Sequence, residues 1–265
     1  MRNFGRAAAG GALCLSALVA TQATPSVVQA VTIGVTSTAD VVAADGNCTL
    51  REAIVAANTD TAVDECAAGS GIDSIWLSAA TYTLSSPLPD ITAPVTFRGP
   101  LPTGLATIDA DGSGRVFTIV GNETTALSVQ FLNVVITGGV AADGAGVHAT
   151  HGSLRFERSW VHGNTATGDG GGMFLDHTSA TIIASTISGN SANRGGGVFS
   201  AVNNPVGSGG GGPYVTNSTI SGNTASLAGV RLDNPGVKIS PSIIGNTWYL
   251  RIDGYNTRAK VERIK

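Results

Sequence analysis

Charged and aromatic side chains are scarce in this chain of 265 residues, at 12% and 5%. The net charge of −3 supplies no basic field, which argues against nucleic acid as a partner. No glycine-rich stretch is followed by Lys-Ser or Lys-Thr, so there is no phosphate loop. There is no G-x-S-x-G nucleophile elbow. The four histidines, His148, His151, His162 and His177, form no H-x-x-x-H or H-E-x-x-H pattern. What the chain does have is 36 Gly, with no three-residue period, which excludes collagen. Gly, Thr, Ser, Ala and Asn abound, the signature of many short strands joined by tight turns. Aliphatic residues are plentiful enough for a sizeable core and argue against wholesale disorder.

The N-terminus reads as an address. Arg2 and Arg6 precede an apolar run from Ala7 to Ala20, and a small-residue stretch ends in Val28-Gln29-Ala30. This is the layout of a secretory signal peptide over residues 1–30, with cleavage expected after Ala30, or after Ala23 as second choice. The run is short and Gly/Ala-rich for a membrane span, and an N-terminal anchor is the alternative. Cys14 lacks a Leu three positions earlier, so lipidation is not expected. Removal of two arginines leaves 13 basic against 18 acidic side chains, a net charge of −5. Of the three cysteines, Cys48 and Cys66 remain. An even count in an exported chain predicts a disulfide between them. Two Cys without a nearby His is poor zinc spacing, and no metal is expected there.

A repeat governs the rest. Ile136-Thr137-Gly138-Gly139 recurs as Val161-His162-Gly163-Asn164, Ile187-Ser188-Gly189-Asn190 and Ile220-Ser221-Gly222-Asn223, with a weaker copy at Ile243-Ile244-Gly245-Asn246. Between the copies lie Gly144-Ala145-Gly146, Gly170-Gly171-Gly172 and Gly195-Gly196-Gly197, then the degraded Leu227-Ala228-Gly229. The strong copies are 25 to 26 residues apart, except for 33 between Asn190 and Asn223. The extra residues fall in Val202–Pro213, rich in Asn, Gly and Pro, which predicts an exposed loop.

Each unit reads as strand, bend, strand, glycine turn, strand. Leu154-Arg155-Phe156 alternates with period two, and the parity breaks at Arg158-Ser159. Triple glycine and β-branched runs exclude a helical repeat. The expected fold class is all-β, a right-handed single-stranded parallel β-helix of about 25 residues per coil. Stacking would form an internal ladder from Val161, Ile187, Ile220 and Ile243, and an Asn ladder from Asn164, Asn190, Asn223 and Asn246. Thr49 and Glu52 have capping-box spacing, and Leu50, Ala53, Ile54 and Ala57 share one face of a short helix. Such a helix would cover the open end of the first coil. Residues 31–96 are then an N-terminal cap with the first strands, 97–246 the β-helix repeats, and 247–265 a tail or C-terminal cap, where five of the 15 basic residues fall.

The S-x-I-S-G-N and G-G-G-[VM]-F units resemble the repeats of parallel β-helix proteins with a pectin-lyase-like fold and those of polymorphic outer-membrane proteins. Cys48-Thr49-Leu50-Arg51-Glu52-Ala53-Ile54 is similar to the CSLREA motif that opens many exported bacterial β-helix proteins, with Thr for Ser. The resemblance implies a secreted or cell-surface location and this fold more than any activity.

The chemistry is sparse. Asp143 and Asp169 precede successive glycine turns and Arg194 follows one coil later. Stacked, they form an Asp–Asp–Arg column, the candidate for catalytic carboxylates or Ca²⁺, with a solvated turn column as the bland reading. No other cofactor is expected. Asp109 and Asp111 read as turn formers, and Arg51 and Glu52 as capping and ion-pair residues. Trp160 and His162 flank inward Val161, so both point outward beside Thr186 and Ser188, a candidate carbohydrate-stacking surface. The expected role is a monomeric secreted or cell-surface module that binds or adheres, towards a polysaccharide or surface glycan. The alternative is a polysaccharide lyase or glycoside hydrolase of the same fold.

Overall fold

A computed structural model describes residues 30–102, 104–124, 127–201, 213–226, 230–232, 238–240, 243–245, 250–252 and 258–259. Residues 1–29, on which the expected signal peptide falls, the segment 202–212, Asn246 and most of residues 247–265 lie outside the described residues.

The described chain is a parallel β-solenoid with coils of about 26 residues. Four parallel sheets run along it, of nine, seven, six and four strands. Within one coil the chain visits Leu127–Leu132 in the nine-stranded sheet, then Val134–Thr137 in the seven-stranded one. It continues through Val140–Ala141 in the four-stranded sheet and Val147–Thr150 in the six-stranded one. The two-residue strands Val140–Ala141, Thr165–Ala166, Ser191–Ala192 and Thr224–Ala225 were not expected from the repeat, which predicts three strands per coil. They are too short to show any period, and the signal of the last three is only a small buried Ala shortly after Gly-Asn; Ala141 follows Gly138-Gly139 and is half-buried. Parallel stacking starts at Thr32–Gly34, paired with Asp73–Trp76, and continues to Arg258–Ala259, paired with Lys238–Ser240.

The inward residues form ladders. Ile108, Ile136, Val161, Ile187 and Ile220 pair in succession, and the last three are at most 2% exposed. The next rung is Ile244, not Ile243: Thr219 pairs with Ile243 and Ile220 with Ile244. The interval from Ile220 is one residue longer than the aligned motif suggests. A parallel column of Phe97, Phe131 and Phe156 stacks at 5.3 and 4.9 Å between ring centres, with Phe117 tilted against Phe131 at 5.0 Å. Such ring pairs stabilise beyond their buried area.

Two polar ladders hold the corners. Asn164, Asn190 and Asn223 are fully buried. Asn164 donates its backbone N–H (3.1 Å) and Nδ2 (3.0 Å) to Oδ1 of Asn190, which does the same to Oδ1 of Asn223 (3.0 and 2.9 Å). Each Nδ2 also donates to a carbonyl of the coil before, Ile136, Val161 or Ile187. The second ladder escaped the sequence reading. The Ser159 N–H donates to Ser185 Oγ, and the Ser185 N–H to Ser218 Oγ, both at 3.1 Å. These serines follow Arg158, Ala184 and Asn217, whose φ of 48 to 49° makes the bend where the parity breaks.

The triple glycine has two separate causes. Its first member is left-handed, with φ of +65° at Gly170 and +60° at Gly195. The second and third are needed for close approach: at Gly172 a Cβ would press on the Gly197 carbonyl and the Asn190 amide. The Asn ladder therefore requires the glycines beside it.

The helix Leu50–Thr59 closes the first coil. The Glu52 N–H donates to Thr49 Oγ1 (3.2 Å) and the Thr49 N–H to Glu52 Oε2 (2.9 Å), the expected capping box. Leu50, Ala53, Ile54 and Ala57 are at most 3% exposed and join the core cluster of Ile33, Ile75 and Tyr82. Cys48 and Cys66 form the expected disulfide, with Cα atoms 4.8 Å apart. Arg51 donates to both oxygens of Asp40 (2.7 and 2.9 Å) and to the carbonyls of Ser86 and Pro87. It thus ties the helix to a distant loop.

Candidate functional site

The seven-stranded sheet presents Trp160 and His162 outward from one three-residue strand, either side of buried Val161. Trp160 pairs with Val135 below and Thr186 above, and His162 with Thr137 and Ser188. The indole leans across its own strand onto the imidazole, with ring centres 3.9 Å apart and planes at 34°. Its Nε1 donates to Ser188 Oγ at 2.8 Å. His162 Nδ1 lies 3.5 Å from Thr137 Oγ1. Burial of the imidazole lowers its pKa below the usual 6.5, against a weaker opposing pull from Asp109. The result is a neutral His platform under an indole that stays 40% exposed, edged by hydroxyls. An apolar face with a polar rim is the chemistry that meets the ring faces of neutral ligands.

The Asp143–Asp169–Arg194 column stacks at the glycine turns as its spacing suggests. Each carboxylate is engaged by a neighbouring coil. Asp143 Oδ1 accepts the Asp169 N–H (2.7 Å). Asp169 is gripped through both oxygens by Arg194, whose Nε donates to Oδ1 at 2.6 Å and whose Nη2 bonds Oδ2. Below them Arg115 donates to the Asp143 and Gly144 carbonyls (2.9 and 3.1 Å). Arg194 also lies over Phe199, 5.0 Å from the ring centre. Each acid thus serves a coil-to-coil bond. Among the described residues, no group of three or more His, Cys, Asp or Glu gathers as a metal site.

The other histidines pack. His148 stacks on Phe174 at 4.9 Å and Phe174 on Phe199 at 5.3 Å, the outward aromatic column its position implies. His151 stacks on His177 at 4.8 Å. Asp109 Oδ1 accepts the Asp111 N–H (2.9 Å) in a turn. A second exposed indole, Trp76, was not singled out in the sequence. It is 53% exposed on the nine-stranded sheet, with Arg98 6.0 Å from its ring centre. The alternation of Asp73-Ser74-Ile75-Trp76 was the available signal.

These features define a β-solenoid whose outward faces carry isolated aromatic platforms. No family model matches the chain, and neither the curated proteins nor the solved structures contain a match to it. Among the described residues no helix is long and apolar enough to cross a membrane.

Proposed function

We propose that the protein is an exported, monomeric, cell-surface or secreted β-helix module that binds carbohydrate through the Trp160–His162 platform. The likeness of Cys48–Ile54 to the CSLREA motif and of the repeats to pectin-lyase-like proteins supports the location, together with the leader at residues 1–30 and the Cys48–Cys66 disulfide. The observation that carries the binding reading is the exposed indole of Trp160, fixed by its bond to Ser188 and backed by His162. A pinned aromatic loses little freedom on binding.

A glycan array probed with the exported protein tests the reading, alongside a reducing-sugar release assay. The expected result is retention on a subset of neutral glycans, lost in Trp160→Ala, with no sugar release. Release of reducing ends would instead favour a lyase or hydrolase. Unchanged retention in Trp160→Ala would move the site elsewhere on the solenoid.

A further inference from the structure

One buried charge has no evident purpose in the folded core. Asp73 opens the strand Asp73–Trp76 and is fully buried. Its Oδ1 accepts the N–H groups of Ser70 (2.8 Å) and Val31 (3.2 Å). Its Oδ2 has no hydrogen-bond partner and is closed off from solvent. A Cβ on Gly69 would run into Oδ2 and crowd the Ala56 carbonyl, so this wall is packed tight. Among the described residues no basic side chain forms an ion pair with Asp73. A buried carboxylate without a cation is expensive, and carboxylates are retained in cores when paired.

The neighbour that matters is Val31. Its carbonyl accepts the Ser74 N–H (2.8 Å), and the next residues, Thr32–Gly34, pair with Ser74–Trp76. The Val31 nitrogen is therefore held against Asp73 by the first strand pair of the solenoid. Val31 is also the residue that follows Ala30 in Val28-Gln29-Ala30.

We propose that hydrolysis of the Ala30–Val31 bond creates the missing cation: the freed α-ammonium of Val31 pairs with buried Asp73 and locks the first coil. This rests on the export reading. An export peptidase adds water across the amide. The carbonyl carbon leaves as the Ala30 carboxylate, and the Val31 nitrogen keeps its electron pair and takes up protons. One amide N–H becomes three donors and a positive charge at a carboxylate with an unmet oxygen. Maturation then stabilises the end of the solenoid that the helix covers, and an unprocessed chain lacks that lock.

Intact mass of the exported protein gives the first test, with Val31 expected as the first residue. A start at Thr24 or a retained leader overturns the export-site reading and the lock with it. The second test separates the two. One Gly is inserted between Ala30 and Val31, so that the ammonium is displaced by one residue, about 3.8 Å of chain. The insertion should lower the Tm by several degrees, as should Asp73→Asn, and should lower it no further when combined with Asp73→Asn. A chain that starts at Val31 yet melts unchanged after the insertion leaves export standing and overturns the lock. Should Asp73→Asn fail to fold, the insertion alone decides.

Discussion

Asn190 makes four hydrogen bonds from a side chain that meets no water: two accepted from Asn164, one donated to the Val161 carbonyl and one to Asn223. Asn190→Ala leaves buried donors and acceptors unpaired on three coils, at about 1–3 kcal/mol for each group. The expected loss is roughly 3 kcal/mol or more, read as a fall in Tm on the order of 10 °C for a domain of this size. His162 offers a milder residue-scale test. Its folded pKa lies below the ordinary 6.5, so folding favours the neutral ring. Above 6.5 it contributes no pH dependence, and stability declines as pH falls from 6.5 through the folded value. A protonated imidazole beneath the indole should quench Trp160 emission, so a fluorescence titration should show a midpoint below 6.5 that vanishes in His162→Gln. Both sites were legible because they recur in register or alternate about an apolar residue. Asp73 was not, because a single Asp at a strand start looks like any turn acid until the opposite nitrogen is in place.

The N-terminal helix shows how local signals and distant partners divide the work of one element. Its cap and its apolar face follow from Cys48 to Ala57, and its disulfide from the even cysteine count expected once residues 1–30 are removed. Asp40, Ser85 and Pro87, which complete the grip on Arg51, lie 11 to 36 positions from it and carry no local pattern. Burial pushes the Asp40 carboxyl up, but the N–H and hydroxyl of Ser85 and the Arg51 guanidinium outweigh it and hold it below its usual 3.8. A depressed carboxyl stabilises the fold above its unfolded value and loses that contribution as pH falls below about 4 through the folded value. Asp40→Asn should lower the Tm by a few degrees at pH 7 and flatten the acid limb of a Tm-against-pH curve. The disulfide closes a sequence separation of 18. Cys48→Ser should cost about 3 kcal/mol in the chain-entropy account. A thiol assay on the unreduced protein should find neither Cys48 nor Cys66 reactive, and two free thiols at these positions would contradict the pairing.

Across the whole molecule the apolar ladder is the principal buried feature. Ile187 is 1% exposed between Val161 and Ile220, so Ile187→Asp buries an unpaired charge and should cost several kcal/mol. Near-normal melting of that variant would contradict the stacking register. The repeat disclosed this register wherever its motif was strong, and failed by one residue at Ile244, where the copy is degraded and the chain between coils is shorter. The four-stranded sheet was hidden because two-residue strands have no internal period, and the serine ladder because Ser159, Ser185 and Ser218 recur with the motif without their spacing showing that each hydroxyl accepts an N–H from the coil before. The extra length between Asn190 and Asn223 leaves Ser185–Ser218 and Ile187–Ile220 in register, while residues 202–212 themselves lie outside the described chain. Pairing between neighbouring coils has a kinetic counterpart. From Val95 onward, paired residues are separated by 20 to 34 positions. For a protein of strands this is a short reach, and the entropy of closing each coil is the same however many coils precede it. A coil can zip onto the one before it once about thirty further residues have emerged. A chain delivered from its N-terminus thus builds in order of arrival, starting from a first coil already stapled by Cys48–Cys66, and never needs its last residues to begin.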